Sequence, residues 1–187
     1  MKTAFILAGA SVLSLAAPAQ AQDSGAPVAV QAAFRGAALP GCRMSTPAAD
    51  AIQNATLSNA APGSADVGIS RLVGDDGAVL GATVVLKIPV ICNQAHTLVL
   101  SSLRGGLRAG QPGPDGGAFR SLVPYGIRVE WAGASGDFDS AGGDAVLPVG
   151  NAAQGSLNVI IDIPAGGAPL VAGAYSDELV LELSAAG

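Results

Sequence analysis

The stretch TVVLKIPVIC, residues 83–92, places apolar side chains at a strict spacing of two residues. The residues that share one face are Val84, Leu86, Ile88, Val90 and Cys92. This alternation is typical of a β-strand that packs one side against a core. Similar patterns recur along the chain between turns rich in Gly, Pro, Asp and Ser, and no stretch keeps helical periodicity over a dozen residues. The sequence therefore predicts an all-β protein.

Five further strands are predicted by the same spacing. They are DVGISRLV (66–73), HTLVLSSL (96–103), LVPYGIRVEW (122–131), SLNVIIDI (156–163) and AYSDELVLEL (174–183). Their predicted inward residues are Val67, Ile69, Val73, Leu98, Leu100, Tyr125, Ile127, Val129, Trp131, Leu157, Val159, Ile161, Ile163, Leu179, Leu181 and Leu183. Short strands joined by turns favour a single antiparallel β-sandwich.

Three other segments have weaker patterns. TPAADAIQNA, which begins at Thr46, fits a short helix or a loop about equally well. Residues 104–117 and 132–144 are dense in Gly and Pro or Gly and Asp, so we expect long surface loops there.

The first 21 residues have the form of a secretory signal peptide. A basic start at Lys2 precedes an apolar run and a small-residue site at Ala19-Gln20-Ala21. Cleavage there leaves 166 of the 187 residues, beginning at Gln22. The apolar run is too short for a membrane span and no later run reaches about 18 residues, so we expect no transmembrane segment in the mature chain.

The charge of the chain disfavours one class of binding partner, nucleic acids. The chain has 9 Lys and Arg against 14 Asp and Glu, for a formal net charge of −5. An acidic chain without a basic cluster is poorly suited to nucleic-acid binding.

Cys42 and Cys92 are the two cysteines of the chain. In a secreted protein such a pair most often forms a disulfide. By closing a loop of about 50 residues, this bond would stabilise the folded protein by about 4 kcal/mol. A metal or redox pair is the rival interpretation, although the spacing does not match the usual metal-binding motifs.

Catalytic motifs are not recognisable. The single histidine, His96, starts a predicted strand and is interpreted as a polar strand-end residue. Without a nucleophile elbow, a P-loop or a zinc-protease motif we expect neither an enzyme nor a bound cofactor. Asp137, Asp139 and Asp144 offer oxygen ligands for Ca²⁺, with a solvated acidic turn as the alternative. Asn54-Ala55-Thr56 matches a glycosylation sequon.

Two segments resemble the spore coat protein U family of secreted, pilin-like subunits. They are PLVAGAYSDELVLELS (169–184) and LKIPVICNQAHTLVLSS (86–102), and Cys42 stands where that family has its first cysteine. The segment after Cys42 lacks the "FG" element that many members carry. The resemblance implies an immunoglobulin-like sandwich that lacks its final strand, a Cys42–Cys92 disulfide, and assembly with a periplasmic chaperone, an outer-membrane usher and neighbouring pilin subunits.

The resemblance gives a role to the alternating stretch APVAVQAAF, residues 26–34. We expect residues 22–36 to be an N-terminal extension and residues 37–187 to be the pilin-like domain. The extension would donate Val28, Val30, Ala32 and Phe34 to a neighbour's groove, a form of β-augmentation. The predicted acceptor groove includes Leu179, Leu181 and Leu183, with ordinary core packing as the alternative.

The implied function is that of a structural subunit of a surface filament, which contributes to adhesion or biofilm formation. It would be exported through the periplasm of a Gram-negative bacterium. The sequence ends soon after LVLELS, so we expect no further strand. The alternative is a self-contained secreted β-sandwich, a binding or coat protein, whose N-terminal strand packs in its own domain.

Overall fold

The computed structural model describes residues 35–111 and 118–185. The chain separates into two compact units, Met1–Ala37 and Ala38–Gly187, and every described strand lies in the second. Among the described residues, no helix has the length and apolar character needed to cross a bilayer. The predicted signal peptide and the predicted donor residues Val28, Val30, Ala32 and Phe34 lie outside the described ranges.

The described part of the chain is all-β, as predicted. Its strands are β1 (Cys42–Met44), β2 (Ala48–Gln53), β3 (Ala55–Ala61), β4 (Ser64–Ile69), β5 (Ala82–Cys92), β6 (His96–Ser102), β7 (Leu107–Ala109), β8 (Leu122–Val123), β9 (Gly126–Trp131), β10 (Ala134–Asp139), β11 (Ala145–Val149), β12 (Ala153–Ile163), β13 (Tyr175–Ser176) and β14 (Leu179–Ala185). A 3₁₀ helix, Ser140–Gly142, joins β10 to β11.

The larger sheet has the strand order β1-β5-β12-β9-β10, and all of its pairs are antiparallel. Its centre is the pairing of β5 with β12, which extends from Ala82 opposite Ile163 to Cys92 opposite Ala153. β1 and β2 pair with successive parts of β5 and so form one interrupted edge strand. At the interruption, the Ser45 amide donates to the Pro89 carbonyl at 2.9 Å.

The second sheet has the order β11-β6-β14. Leu98 of β6 lies opposite Leu147 of β11 on one side and Leu183 of β14 on the other. Buried side chains of both sheets form one apolar cluster, and Trp131 Nε1 of the larger sheet donates to His96 Nε2 of the second at 2.7 Å. The two antiparallel sheets therefore make a β-sandwich, which confirms the predicted fold class.

Two small sheets complete the fold. One has the order β13-β7-β8. The other is the hairpin of β3 and β4, whose turn contains Pro62 and Gly63. Gly63 has φ of 84°, the left-handed conformation that a type II turn requires after proline.

The alternation rule correctly predicts the buried face of the central strands. The predicted residues that are buried are Val84, Leu86, Ile88, Val90, Cys92, Leu98, Leu100, Tyr125, Ile127, Val129, Trp131, Leu157, Val159 and Ile163. Those only half-buried against the same core are Val67, Ile69, Ile161, Leu179, Leu181 and Leu183. The prediction for Val73 was wrong, because β4 ends at Ile69 and Val73 is exposed. The half-buried set is not scattered, since most of its members border one groove.

The prediction of a helix or loop from Thr46 was wrong. Residues Ala48–Gln53 form β2, which pairs with β5 with a bulge between Ala49 and Ala51. All six residues of β2 are exposed, so the strand has no apolar face to reveal it in the sequence. Its conformation comes from backbone pairing with a distant partner.

The prediction of a long loop over residues 132–144 was also wrong. Ala134–Asp139 form β10, which pairs with β9. Gly136 lies under the Phe138 ring, where an added Cβ would come within 2.6 Å of Phe138 Cζ. This glycine permits close packing within a strand and does not mark a loop.

The segment 104–117 is partly strand. Leu107–Ala109 form β7, while residues 112–117 lie outside the described ranges. Gly106 has φ of 130°, and a Cβ there would meet the Val123 carbonyl oxygen at 2.6 Å. Glycine at this position therefore allows the chain to enter β7 beside β8.

Candidate functional site: an open groove beside β14

An apolar groove of about 700 Å³ lies along β14, between the two sheets. The larger sheet contributes Leu86, Ile88, Val159, Ile161 and Ile163. Leu179 and Leu181 of β14 line the opposite side, whereas Leu183 packs against the core outside this lining. The structure thus brings two of the three predicted acceptor leucines into one groove with side chains from β5 and β12.

The core is incompletely covered at this groove. Leu98 and Leu100 of β6 are 0% and 2% exposed. Leu183 and Leu181 pair directly with these two residues from β14 but are only half-buried. Since neighbouring strands carry the same kind of side chain, the difference lies in what covers them, and no described strand pairs with the outer edge of β14.

The backbone of β14 also lacks hydrogen-bond partners along one edge, among the described residues. Over the described residues, β14 pairs with β6 alone, so the opposite edge of Leu179–Ala185 has no strand partner. Such an edge presents a row of amide and carbonyl groups that can accept another strand. The unpaired edge and the uncovered leucines belong to the same strand.

The start of β14 is held by a hydrogen-bonded carboxylate, Asp177. Its Oδ2 accepts hydrogen bonds from the hydroxyls of Ser102 at 2.5 Å and Tyr125 at 2.7 Å. Its Oδ1 accepts one from the Arg104 amide at 2.9 Å. Asp177 therefore ties the entry of β14 to the end of β6 and to the segment before β9.

The pKa values of this cluster agree with its geometry. Burial by itself would raise the pKa of Asp177, but the hydrogen bonds from Ser102 and Tyr125, with backbone donors, outweigh it and lower that pKa. Burial raises the pKa of Tyr125, and its bond to the Asp177 carboxylate raises it further. The cluster at neutral pH is thus an ionised acid that accepts from neutral hydroxyls.

Tyr175 fastens the approach to β14 in a second way. Its hydroxyl lies 3.0 Å from the Val171 carbonyl oxygen and 3.1 Å from that of Arg120. This bond to the backbone a few residues upstream resembles the tyrosine corner of Greek-key sandwiches. The pKa of Tyr175 is raised, with burial as the main cause.

The other side of the groove is formed by the interrupted edge strand and the β3–β4 hairpin. Met44, Ser45 and Pro47 line it from the interruption. The hairpin contributes Val67 and Ile69 together with residues of its turn. The interruption carries no strong strand or helix pattern. Alternation predicted Val67 and Ile69 as inward residues of a strand but did not indicate that they border a groove.

Asn54 anchors the base of this hairpin. Its Nδ2 donates to the carbonyl oxygens of Arg71 at 2.8 Å and Gly81 at 3.1 Å, and its Oδ1 accepts from the Arg71 amide at 3.0 Å. The residue has φ of 54°, a left-handed conformation that asparagine tolerates. The side-chain amide of the sequon is therefore engaged in structure and does not project as a glycan acceptor.

The C-terminal end of β14 lies near the disulfide. Cys42 and Cys92 face each other across β1 and β5, with Cα atoms 4.1 Å apart, and the predicted Cys42–Cys92 bond is confirmed. His96 pairs with Ala185, the last residue of β14. The disulfide therefore joins two neighbouring strands of the larger sheet at this end of the sandwich.

Cys42, Cys92 and His96 place potential ligand atoms within 4.8 Å of one another, the one such trio within the described ranges. Both sulfurs belong to the disulfide. His96 Nδ1 faces the Gln94 carbonyl oxygen at 2.9 Å and must donate to it, while Nε2 accepts from Trp131. The expected polar strand-end histidine is thus 2% exposed and joins the two sheets, and its ring nitrogens are both engaged.

The three aspartates predicted as Ca²⁺ ligands make different contacts in the structure. Asp137 makes a two-pronged ion pair with Arg128 across β9 and β10, at 2.7 and 3.0 Å. That bond lowers the pKa of Asp137. Asp139 caps the 3₁₀ helix by accepting from the Ala141 amide, and Asp144 follows that helix. The structure does not bring Asp137, Asp139 and Asp144 together as one ligand set.

Sequence reasoning identified the AGAYSDEL segment but assigned no task to its polar residues. The structure assigns Tyr175 and Asp177 the task of fixing the strand that borders the groove. The signal that could have found them was a tyrosine and an acid spaced by two residues just before an apolar strand.

A comparison of the sequence with protein-family models found no matching family, and a comparison with curated proteins found no match.

Proposed function

We propose that this protein is a structural subunit of a secreted surface filament, similar to pilins of the spore coat protein U family. Subunits would assemble by donor-strand complementation, in which an extended segment of one subunit fills the groove of the next. The observation that carries the proposal is that the uncovered apolar groove and the unpaired backbone edge coincide at β14. The function is mechanical and requires no catalytic residue, cofactor or nucleic acid.

One inserted strand would remove both deficits. Its backbone would pair with the outer edge of Leu179–Ala185, and its inward side chains would cover Leu179 and Leu181. An exposed, unprotected apolar edge is otherwise prone to aggregation. The support for strand insertion is therefore stronger than the support for a small ligand, which would leave the edge unpaired.

The extension of residues 22–36 supplies a suitable strand. Val28, Val30, Ala32 and Phe34 alternate over seven residues, and β14 is also seven residues long. Burial of each larger side chain would contribute roughly 1.5–3 kcal/mol, with Ala32 adding less. Because the donor lies at one end of the domain's sequence and the acceptor is a groove, the contact is heterologous and propagates as a filament.

The proposed partners follow from this chemistry. A periplasmic chaperone would cover the groove of each new subunit, and an outer-membrane usher would exchange that strand for the extension of a neighbouring pilin subunit. The predicted signal peptide accounts for export through the periplasm to the surface of a Gram-negative cell. A surface filament of this kind would contribute to adhesion or biofilm formation.

Assembly of the mature chain, from Gln22 onward, tests the proposal. Wild-type protein should give ladders on unheated gels, since inserted strands resist dissociation. Val30→Asp should abolish them because it carries a charge into an apolar groove. Ala29→Asp is the matched control, because Ala29 faces outward in the same strand and this variant should assemble normally.

Complementation in trans gives an independent test. A variant that lacks residues 22–36 should be monomeric and should bind a labelled peptide of residues 26–36, measured by fluorescence polarisation. The same peptide with Val30→Asp should not bind. A monomer whose state is unaffected by deletion of residues 22–36 would instead indicate the self-contained sandwich.

A further inference from the structure

Met44 is the last residue of β1, and its side chain lines the groove together with Leu179 and Leu181 of β14. It pairs with Val90, which is 3% exposed, yet Met44 itself is only half-buried against the core. Like the leucines of β14, it belongs to an apolar surface that is incompletely covered. Small solutes can reach a half-buried side chain in an open groove, so the Met44 thioether is a wall of the groove that solvent-borne reagents can meet.

Met44 also carries the one readily oxidised sulfur of the mature chain. The sequence has two methionines, and the other one, Met1, lies in the predicted signal peptide. The two cysteines, Cys42 and Cys92, are joined in the disulfide. A mild oxidant that acts on the mature protein would therefore modify Met44 before any other sulfur.

Resting on the proposed strand donation, we infer that Met44 is an oxidation site that controls whether the groove accepts a strand, with a peroxide as the oxidant. The thioether sulfur donates an electron pair to one peroxide oxygen, and the O–O bond breaks as the S–O bond forms. The proton of the transferred oxygen passes to the leaving oxygen, which departs as water. Sulfur loses two electrons and the peroxide gains them, which gives methionine sulfoxide.

The sulfoxide acts on assembly more than on folding. In the open groove its oxygen keeps hydrogen bonds to water, so the free subunit loses little stability. An inserted strand displaces that water and leaves a strong acceptor among apolar neighbours such as Val67, Leu179 and Leu181. Because burial of a polar group without a hydrogen-bond partner is unfavourable, an oxidised subunit should hold a strand about tenfold less tightly.

The modification is reversible and depends on the state of the groove. Methionine sulfoxide reductases, one for each sulfoxide epimer, restore the thioether. A strand in the groove covers Met44, so the oxidant acts on free subunits and spares assembled ones. Oxidation thus stops further growth of a filament without dismantling it.

Peroxide treatment of the full mature chain tests the inference. The Val30→Asp variant supplies a subunit with an open groove, and assembled wild-type protein supplies a filled one. Hydrogen peroxide should add one oxygen at Met44 in the variant, measured by mass spectrometry, and should do so far more slowly in assembled wild type. The oxidised variant should bind a labelled peptide of residues 26–36 about tenfold more weakly than the untreated variant, and reductase treatment should restore binding.

Two further variants in the Val30→Asp background separate the position of the sulfur from general oxidative damage. Met44→Leu should bind the peptide equally well before and after peroxide. Met44→Leu with Val146→Met moves the sulfur to an outward position of β11 that is 59% exposed in the wild type, where its oxidation should leave binding unchanged. Circular dichroism before and after treatment verifies that each variant stays folded.

The outcomes distinguish this inference from the proposed function. Unchanged peptide binding after complete oxidation of Met44 would overturn the inference and leave strand donation in place. Resistance of Met44 to peroxide in the open-groove variant, or an equal loss of binding when the sulfur is at residue 146, would do the same. Failure of the untreated Val30→Asp variant to bind the peptide would overturn strand donation and this inference with it.

Discussion

In the sheet β11-β6-β14, the two outer strands both pair with β6, but their leucine side chains are buried to different degrees. Leu147 of β11 and Leu183 of β14 both pair with Leu98, and Leu147 is buried whereas Leu183 is half-buried. β11 follows β10 through the 3₁₀ helix and carries Pro148, a residue that blocks edge pairing. β14 has neither feature among the described residues, so one side of the sandwich is closed and the other is open.

The disulfide and several hydrogen-bonded side chains that hold the fold together also lie on the open side. The Cys42–Cys92 bond, the Asp177 cluster, the Tyr175 corner and the Asn54 anchor all hold segments next to the groove. A missing cover removes apolar burial, which is the main source of stability. Covalent and hydrogen-bonded constraints keep the groove walls in place in its absence. The open side is thus held by covalent and hydrogen-bonded contacts where it lacks apolar cover.

The largest expected difference between the two sides is in assembly. Leu181→Asp should weaken subunit association by about a hundredfold or more, because it leaves a buried charge without a partner in the filled groove. Val146→Asp, at an outward position of β11, should have no effect, since Val146 is 59% exposed. Sedimentation of assembled material measures both, with circular dichroism of each monomer to verify folding. Equal assembly by the two variants would contradict the asymmetry.

Loss of the disulfide should be the largest change in stability on the open side. Cys42→Ala with Cys92→Ala should lower the free energy of unfolding by about 4 kcal/mol, since the bond closes a loop of 50 residues. Urea denaturation followed by tryptophan fluorescence measures the change at Trp131. Reduced wild-type protein should behave like the double variant, and a loss below about 1 kcal/mol would contradict a fastening role.

Removal of the Asp177 carboxylate should have an intermediate effect. Asp177→Ala should cost about 1–3 kcal/mol at pH 7, because the donors at Ser102, Tyr125 and Arg104 lose their shared acceptor. Chemical denaturation of the variant and the wild type over a pH series gives the measurement.

The pH dependence of that difference has a definite sign. The folded pKa of Asp177 lies below its ordinary value of 3.8, so its stabilising contribution is complete above that value. It is lost as the pH falls through the folded pKa, and the wild type and Asp177→Ala should converge in acid. A difference that stays constant down to low pH would show that charge on Asp177 is not the cause.

The smallest effect should come from the tyrosine corner. Tyr175→Phe removes one hydroxyl donor and should lower the free energy of unfolding by about 1 kcal/mol, with little change in packing. Thermal unfolding at neutral pH measures it, and Tyr175→Ala should cost more because it also removes the ring. A Phe variant as destabilised as the Ala variant would place the whole effect in the hydroxyl bond.

The strands with one strongly apolar face could be predicted from the sequence. In β5, β6, β9 and β12 a period of two residues decides which side chains face the core, because successive side chains point to opposite faces. The disulfide could also be predicted, since the cysteines are two and the start of the chain has the form of a signal peptide. Leu179, Leu181 and Leu183 were predicted by resemblance and alternation to line an acceptor groove, and Leu179 and Leu181 line the groove beside β14.

Other parts of the fold could not be predicted because their cause is not local. Ala48–Gln53 has no buried face and is a strand only because β5 offers it an edge. Ala134–Asp139 contains a glycine that local reasoning assigns to a loop, yet Phe138 covers it within a strand. Asp177 gathers donors from residues 52 and 75 positions away in the chain, which no local pattern encodes.

The sequence by itself determined that the chain is all-β, which faces of its central strands are apolar, and that an alternating apolar stretch, residues 26–34, precedes the first cysteine. Only the tertiary structure decided that, among the described residues, the outer edge of β14 has no strand partner. Apolar periodicity specifies that a face must be covered but does not name the covering element, because any matching strand buries it equally well. The leucines of β6 and β14 have the same pattern, and their different burial arises from their places in the sheet.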